Sequence, residues 1–474
     1  MKKFKIFILT MLLIPVFLFS GCSFGKPYII DIQKTQSFGK TDTYTLTYSD
    51  GTNDTITVEN GKDGENVDIE ELFASLVSRG FYENTNAGFQ QFVKDYFSVD
   101  VEYDNIQASV NKALQSAVVI YAAYPVNYLR TSFSISCGAG VIYKTDGDTS
   151  YIVTNYHVVY AKNSTTANKI SNDIVLYQYG VTETISTSNS DDNGHFGSYD
   201  FGKGSVSCQY IGGSLNYDIA VLKVSTSDLV ENNATYAPVT VADSYSVADT
   251  AIAIGNPEGE GTSVTKGIIS VESEYLAMKG ADDYTDCVFR VMRIDTPING
   301  GNSGGGLFNN KGELIGIVNA KGLTSSSGHV LDNYCYALPI DNVTKVADNI
   351  ISNYSGTAVK PVRLSFGIVF TAQNGKAVYD QTYGTTTITD ELVVTEVKNN
   401  TLAKTYGIEE DDVITSIKIN DNDAYTLRRA FEFKDLMLTV KPGDNLLINI
   451  KKPDNSTKTI TIYNLSSAYF EEIA

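Results

Sequence analysis

The feature that most constrains the fold of this chain is a serine enclosed by glycines, Gly-Asn-Ser-Gly-Gly at residues 301–305. The motif follows a candidate strand at residues 288–295. Glycine tolerates positive φ angles and lets another group approach the backbone closely, because it has no Cβ atom. The motif therefore predicts a tight turn after a strand, with backbone amides that can face a reacting carbonyl. Ser303 in such a turn can act as a nucleophile, provided that the fold supplies a base and a group that orients the base.

The choice of base is narrow, because the chain contains only three histidines. His157 ends an apolar segment, residues 151–157, which is interpreted as a strand that would hold the imidazole rigidly. His195 and His329 follow stretches rich in serine, and these stretches indicate loops. A surface position or a satisfied core position is the ordinary interpretation of a single histidine, and we keep it for His195 and His329.

The orienting acid is Asp218, which opens an apolar segment at residues 219–224. An aspartate before a strand is usually a cap or turn residue. Here it stands after His157 and before Ser303, and this order of histidine, aspartate and serine is that of chymotrypsin-type proteases. The three motifs are specific as a set, whereas none of them is specific alone.

The sequence resembles the HtrA/Deg family of trypsin-like serine proteases, which carry Thr-Asn-x-His-Val, Asp-Ile/Leu-Ala-Val-Leu-Lys and Gly-Asn-Ser-Gly-Gly motifs. The resemblance spans residues 118–346 and implies a mainly β fold, in which a chymotrypsin-like pair of six-stranded β-barrels flanks a cleft. It also implies acyl transfer, with Ser303 as nucleophile, His157 as general base and acid, and Asp218 as the group that orients the imidazole. The backbone amides of Gly301 and Ser303 would hold the oxyanion.

Apolar segments supply the strand candidates of these barrels. They lie at residues 118–121, 140–143, 152–154, 174–177, 219–224, 251–254, 264–271 and 314–318. Strands of this length, separated by turn residues, are typical of barrels.

The same resemblance describes a substrate pocket. Ile298 would narrow the pocket, and Asn319 with Ala320 would form one wall. No charged residue occurs at residues 296–300, where a trypsin-type pocket would need its acid. We therefore expect a small or medium aliphatic side chain at the cleaved bond.

One departure from the family is the interval of 61 positions from His157 to Asp218, about twice the usual length. The excess falls at residues 182–204, where serine, asparagine, aspartate and glycine predominate, so it predicts a surface loop. Long polar insertions cost little stability. Gating of the cleft, contact with neighbouring subunits and mere decoration remain alternative interpretations of this segment.

Residues 358–466 resemble the PDZ domain of HtrA proteases. The segment begins with Arg-Leu-Ser-Phe-Gly-Ile, which is similar to the family's Arg-x-x-Leu-Gly-Ile. The resemblance implies a groove that binds an extended peptide as an added strand. The amides of Phe366, Gly367 and Ile368 would receive the terminal carboxylate of that peptide. An unrelated small β-rich domain is the alternative.

The amino terminus predicts a targeting segment. Three lysines among the first five residues precede an apolar run at residues 6–19, which is short for a bilayer span and fits a signal peptide over residues 1–21. The run leads into Phe-Ser-Gly-Cys, which resembles the bacterial lipobox, so Cys22 would be lipidated. More than one acyl chain would anchor the protein stably on the outer face of the bacterial membrane. An uncleaved anchor and a plain signal peptide are the alternatives.

Two patterns describe the segment between this anchor and the protease. Residues 42–48 and 55–58 flank an Asp-Gly turn and predict a β-hairpin. Residues 69–77 and 89–97 have helical periodicity. We interpret the segment as a spacer, with binding to a partner as the alternative.

Length, charge and cysteine spacing bound the remaining possibilities. The 474 residues exceed one ordinary domain. After the signal peptide we expect a lipidated N-terminus with a small β module (22–65), a helical spacer (66–104), the protease (105–355) and the PDZ domain (358–466). The net charge of −19 argues against nucleic acid as a partner, because that partner requires a basic face. No Cys-x-x-Cys pair occurs, so we expect no metal site and no cofactor, while disulfides and buried thiols are equally compatible with the sequence.

The resemblance as a whole implies a membrane-anchored serine endopeptidase that cleaves unfolded or misfolded extracytoplasmic proteins and binds C-terminal peptides. HtrA-like enzymes commonly form trimers, which makes a homotrimer the candidate assembly. A peptide-binding or chaperone lipoprotein and a processing protease with one substrate are the alternatives. The first alternative would be marked by a missing member of the triad, and none is missing.

Overall fold

The computed structural model describes a set of ranges that together cover most of the chain. They are residues 29–38, 41–48, 51–59, 69–82, 92, 106–188, 191–233, 235–321, 334–380 and 385–474. The chain divides into two compact units, Met1–Tyr103 and Asp104–Ala474. The predicted signal peptide, Cys22 and His329 lie outside the described residues. Within these ranges, no helix combines the length and the apolar composition needed to cross a membrane.

The first unit holds a small antiparallel sheet and a helix. Its elements are β1 (Ile29–Phe38), β2 (Thr41–Tyr48), β3 (Asn53–Glu59) and α1 (Ile69–Ser78). The hairpin predicted at residues 42–48 and 55–58 corresponds to β2 and β3, whereas the sequence did not predict β1. The helix predicted at residues 69–77 is α1. The second helical prediction, residues 89–97, lies outside the described residues apart from Phe92.

The second unit begins with a closed six-stranded barrel. Its elements are α2 (Ile106–Leu114), β4 (Ala117–Pro125), β5 (Phe133–Asp146), β6 (Thr149–Thr154), α3 (Tyr156–Val159), β7 (Asp173–Gln178), β8 (Ser186–Thr187), β9 (Tyr199–Asp200), β10 (Val206–Ser214) and β11 (Ile219–Ser225). The barrel order is β10-β11-β6-β5-β4-β7, and β8 pairs with β9 outside it. Strand β4 is buried on both faces, because Ile120 packs inside the barrel while its neighbour Tyr121 packs under the segment from residue 182 to 204.

A second closed barrel follows. Its elements are α4 (Thr226–Asn232), β12 (Thr250–Gly255), β13 (Ser263–Lys279), β14 (Asp286–Ile294), β15 (Gly306–Phe308), β16 (Leu314–Lys321) and β17 (Cys335–Pro339). The barrel order is β12-β13-β14-β17-β16-β15. Each of the eight predicted strand segments lies within an observed strand, and the prediction of two six-stranded barrels is confirmed.

The C-terminal part of this unit is a second β-rich module. Its elements are α5 (Ile340–Asn353), β18 (Val362–Leu364), β19 (Ile368–Asp380), β20 (Thr385–Val397), α6 (Leu402–Thr405), β21 (Val413–Ile419), β22 (Tyr425–Thr426), α7 (Glu432–Met437), β23 (Leu446–Lys451), β24 (Thr457–Ile462) and β25 (Phe470–Glu472). The sheet order is β19-β20-β21-β23-β24, with β22 added to β21. Strand β19 therefore forms one edge of this sheet in the described part of the chain.

A buried ionic cluster joins the second barrel to the C-terminal module. The Arg290 guanidinium, on β14, pairs with Asp341 of α5 and with Asp435 of α7, the latter at 3.0 Å between Nη2 and Oδ2. The Arg290 side chain is 5% exposed, and its guanidinium lies 4.2 Å from the centre of the Phe431 ring. The Asn342 amide donates to Asp435 Oδ1 at 2.8 Å. Two carboxylates and an aromatic face thus enclose one cation at the junction.

Candidate active site

The glycines around Ser303 form the tight turn that the sequence predicts. Gly301 and Gly304 adopt φ angles of 91° and 84°, which side chains disfavour. A Cβ atom on Gly304 would lie 2.2 Å from both the Ala139 carbonyl oxygen and Thr154 Oγ1. The Ala139 amide donates to the Ser303 carbonyl at 2.8 Å, so the turn is tied directly to the first barrel.

His157 lies in the one-turn helix α3, not in a strand. Strand β6 ends at Thr154, so the prediction that His157 ends the strand was wrong by three positions. The reason is a polar anchor after the strand: the buried Asn155 side chain donates to the Asp218 carbonyl at 2.9 Å, and the Tyr156 amide donates to the same oxygen at 3.2 Å. These bonds turn the chain and direct the imidazole towards Asp218.

Asp218 is held in a conformation that is rare for a side-chain-bearing residue. Its φ angle is 50°, a left-handed value that aspartate tolerates better than most residues do. Its carboxylate accepts three N–H groups: His157 N on Oδ1 at 3.0 Å, and His157 Nδ1 and Asn319 Nδ2 on Oδ2 at 2.7 and 2.6 Å. The carboxylate is therefore fixed in orientation and presented to the imidazole.

This contact sets the proton on the His157 ring. Because the carboxylate accepts, neutral His157 carries its proton on Nδ1, which leaves Nε2 as a proton acceptor. Burial alone would lower the pKa of His157, but the charge and the hydrogen bond of Asp218 outweigh it and raise that pKa above 6.5. The side chain is 37% exposed, so a substrate can reach the ring.

Ser303 is linked to the acid through Asn319. Its Oγ donates to the Asn319 carbonyl at 3.2 Å, and no other hydrogen bond of this hydroxyl occurs within the described ranges. The side-chain amide of Asn319 holds Asp218, so one residue contacts two of the three members of the predicted triad, Ser303 and Asp218. A Cβ placed on Gly138 would touch both Val158, beside the base, and the Ser303 carbonyl, so the two segments flank one glycine. Catalytic hydrogen bonds in substrate-free proteases often form only in the complex.

Two backbone amides at the turn lack an acceptor. Among the described residues, neither Gly301 N nor Ser303 N donates to any protein atom. The Gly300 carbonyl accepts from Glu258 N at 2.7 Å, and the Gly301 carbonyl accepts from Asn256 N at 3.2 Å. Because N–H and C=O point in opposite directions across a peptide plane, the Gly301 N–H faces away from the 256–258 segment. The two amides are thus available to another acceptor, and their assignment as an oxyanion hole stays a prediction.

Replacing Gly301 by alanine is expected to reduce kcat by about a hundredfold to a thousandfold, as loss of one oxyanion donor does. A Cβ there would lie 1.9 Å from the Asn256 carbonyl oxygen, so the peptide must rotate. Steady-state kinetics on an unstructured peptide would measure the effect. Gly356→Ala is the matched control, because Gly356 also has a positive φ, 108°, but has open space around it. Equal rates for the two variants would contradict this assignment.

The predicted pocket residues occupy different surroundings. Ile298 is buried with the apolar side chains of the second barrel. Asn319 directs its side chain to Asp218. The register of β16 on β17 shifts between Val318 and Ala320, and a bulge of this kind changes the direction in which a side chain points. Ala320 lies on β16. The preference for an aliphatic side chain stays a prediction. Asn319 directly follows the apolar segment 314–318. An asparagine that continues such a segment is the sequence signal for a buried side chain with a polar partner.

The C-terminal module presents the predicted carboxylate loop at the edge of its sheet. Gly367 has a φ of 85°, and a Cβ there would lie 2.2 Å from Thr401 Cβ. The amides of Phe366 and Gly367 donate to no protein atom among the described residues, while their carbonyls accept from Ala403 N and Lys398 N. Ile368 begins the edge strand β19. The assignment of a PDZ groove stays a prediction.

Comparisons with known proteins show which peptidases this chain resembles. Residues 138–317 match the family described as the trypsin-like peptidase domain. "Serine protease HtrA-like" of Staphylococcus aureus (strain MRSA252) is 29% identical over 331 residues, which cover 66% of this chain and 37% of that protein. "Serine protease Do-like HtrA" of Lactococcus lactis subsp. cremoris (strain MG1363) is 29% identical over 283 residues, covering 59% of this chain and 60% of that protein. The prediction of an HtrA/Deg-like protease is confirmed.

The HtrA-like chain thus spans 37% and 60% of the length of these two relatives. A solved structure, "HtrA-type protease AlgW with tripeptide", aligns with 76% of this chain and 96% of that chain, at 24% identity and a TM-score of 0.47. Among the described residues, no three side chains of the types His, Cys, Asp and Glu group closely enough to hold a metal ion.

Proposed function

We propose that this protein is a serine endopeptidase that cleaves unfolded or misfolded proteins through an acyl-enzyme formed on Ser303. The observation that carries the proposal is the hydrogen bond of 2.7 Å between His157 Nδ1 and Asp218 Oδ2, which leaves Nε2 as a base. The two amides without acceptors at the turn of Ser303 support it, because they supply what the tetrahedral intermediate needs.

The first half of the reaction forms the acyl-enzyme. Ser303 Oγ leaves the Asn319 carbonyl and donates to His157 Nε2, then attacks the scissile carbonyl carbon as its proton passes to Nε2. The negative charge on the substrate oxygen is held by Gly301 N and Ser303 N. Asp218 stabilises the imidazolium without taking its proton. His157 then protonates the leaving amine, and the C–N bond breaks.

The second half repeats the sequence with water. His157 removes a proton from a water molecule, the resulting hydroxide attacks the acyl carbon, and Ser303 regains its proton as the product acid leaves. Apart from the substrate and the water molecule, every group in these steps belongs to the chain.

A fluorophosphonate probe tests the proposal on the full chain. The probe reacts with an activated serine, so it should label Ser303, and the same preparation should degrade unfolded casein. Peptide mapping of the labelled protein identifies the modified residue. Casein binding without cleavage, together with absence of the label, would favour a peptide-binding or chaperone lipoprotein instead.

We propose that the C-terminal module is the PDZ domain that presents extended C-terminal peptides to the protease. The edge position of β19 supports this role, because an edge strand can accept another strand. The acceptor-free amides of Phe366 and Gly367 support it as well, since a carboxylate can bind there. The subunit number, including a homotrimer, remains a prediction.

We also propose that Cys22 carries a lipid that anchors the enzyme on the outer face of the bacterial membrane. The lipobox-like sequence before Cys22 supports this location. Cys22→Ala is expected to move the protein from the membrane fraction to the culture medium, because the acyl chains supply the anchor. Immunoblots of the two fractions measure the shift. Unchanged membrane retention would rule out the lipid anchor.

A further inference from the structure

The inserted segment at residues 182–204 is not only a surface loop. Its middle, residues 191–194, is exposed, but both of its ends pack on the outer face of the first barrel. Phe201 and Tyr199 lie against each other with ring centres 5.2 Å apart, in a cluster that includes Tyr177. The described part of the segment therefore runs over the surface, as predicted, while Phe201 near its C-terminal end is buried.

One contact connects this segment to the peptidase cleft. Tyr121 on β4 donates its hydroxyl proton to Glu183 Oε2 at 2.6 Å, and Glu183 is the second residue of the insertion. The same hydroxyl oxygen lies 3.3 Å from Asn256 Nδ2, which donates to it. The side chains of Tyr121 and Asn256 are buried, whereas Glu183 is partly exposed.

Asn256 is the residue that holds the peptides around Gly301. Its backbone amide donates to the Gly301 carbonyl at 3.2 Å, and its carbonyl oxygen lies 1.9 Å from the place that a Cβ atom on Gly301 would take. Its side-chain Oδ1 accepts from Gly261 N at 2.8 Å, which closes the loop of residues 256–261 on itself. Within that loop, Glu258 N donates to the Gly300 carbonyl at 2.7 Å. The position of the Gly301 amide therefore depends on the placement of Asn256.

The donor and the acceptor of each hydrogen bond between Gly261, Asn256, Tyr121 and Glu183 can be assigned in turn. Because Gly261 N is a donor, Asn256 must present Oδ1 to it and its NH2 group to Tyr121. The Tyr121 oxygen accepts that bond, and its single proton goes to Glu183 Oε2 at 2.6 Å, the shorter of its two contacts with acceptors, the other being the Gly259 carbonyl at 3.3 Å. A carboxylate only accepts, so Glu183 fixes the direction of the whole chain.

We propose that Tyr121 and Glu183 are positioning residues for the oxyanion hole, which they orient through Asn256. The proposal rests on the proposed peptidase function. The insertion would thus influence the reaction, because its residue Glu183 ends the hydrogen-bond chain that begins at Gly301. Burial and the hydrogen bond to Glu183 raise the pKa of Tyr121 well above 10, so the hydroxyl remains a donor at neutral pH.

Tyr121→Phe tests this inference in the full chain, because it keeps the ring and removes only the hydroxyl. Asn256 then loses its buried acceptor, and the loop that orients Gly301 can shift. We expect kcat on an unstructured peptide to fall about tenfold, with KM nearly unchanged, since small misplacements act on the transition state. The affinity for a peptide boronate should fall by the same factor, because its tetrahedral adduct with Ser303 places an oxygen in the oxyanion hole. Glu183→Gln should give a smaller loss in both measurements.

Tyr177→Phe is the matched control. Tyr177 belongs to the same aromatic cluster, and its hydroxyl donates to the Phe201 carbonyl instead of the 256–261 loop. We expect kcat and boronate affinity of this variant to match those of the wild type. Equal kinetics for Tyr121→Phe and Tyr177→Phe would overturn the inference while leaving the peptidase intact. A wild-type chain that neither cleaves casein nor binds the boronate would instead overturn the proposed function and the inference together.

Discussion

Ser303→Ala is expected to lower kcat by about a millionfold, to the level that binding and the oxyanion hole alone supply. The substitution removes the attacking oxygen and its hydrogen bond to the Asn319 carbonyl, while the contact between His157 and Asp218 is untouched. The fold should persist, because alanine fits wherever this serine fits. Cleavage of a quenched peptide at high enzyme concentration measures the residual rate, and circular dichroism checks the fold.

Ser136→Ala is the matched control for this experiment. The Ser136 hydroxyl donates to the Val158 carbonyl at 2.8 Å, one residue after the base, and Ser136 is not a member of the predicted triad. We expect this variant to cleave peptide and to accept the fluorophosphonate label. Substantial cleavage by Ser303→Ala would show that another group is the nucleophile.

Asp218→Asn is expected to lower kcat by about ten-thousandfold, because an amide in this position favours the wrong imidazole tautomer. The carboxylate receives three N–H donors, and an asparagine must present its own NH2 group to at least one of them. In the orientation that directs this NH2 group to Nδ1, His157 loses the bond that keeps its proton there. The rate of peptide cleavage and the rate of fluorophosphonate labelling should both collapse.

The pH profile gives this second prediction an independent measurement. His157 works as a base only when neutral, so wild-type kcat/KM should rise with pH through the pKa of His157, which lies above 6.5. The Asp218 charge raises that pKa against the effect of burial, so Asp218→Asn should move the inflection to lower pH. Asp295→Asn, whose carboxylate accepts from Ile268 N in the second barrel, should leave the inflection in place. An unmoved inflection in Asp218→Asn would contradict the contact seen here.

The sequence predicted those parts of this structure that depend on local patterns. Alternating apolar segments predicted the barrel strands, and the glycines predicted the turn at Ser303, because strand periodicity and positive φ angles are properties of a few adjacent residues. The placement of His157 was missed by one helical turn, since the bonds from Asn155 and Tyr156 to Asp218 cross more than sixty positions of sequence. A local sequence pattern cannot reveal a partner as distant in the chain as Asp218.

Two further features depended on long-range register. Asn319 reaches Asp218 because of a shift in the pairing of β16 with β17, and a one-residue shift of this kind cannot be derived from composition. The many polar residues of the insertion predicted a loop and gave no sign that residues near its ends pack on the barrel. Its residues Ile185, Tyr199 and Phe201 are too scattered to form a periodic pattern, and they come together, beside Val181, only on the barrel surface.

The buried cation at Arg290 has a consequence for any attempt to separate the two halves of the second unit. A peptidase released after residue 355 would keep Arg290 and Asp341 but lose Asp435 and the aromatic face of Phe431. Truncation would also uncover Arg290, so water and Asp341 would compensate its charge, and the cost would stay below the roughly 3 to 5 kcal/mol of a buried charge left without a partner. The two halves share this junction, so activity lost on deleting the C-terminal module would report the broken junction as well as the missing module.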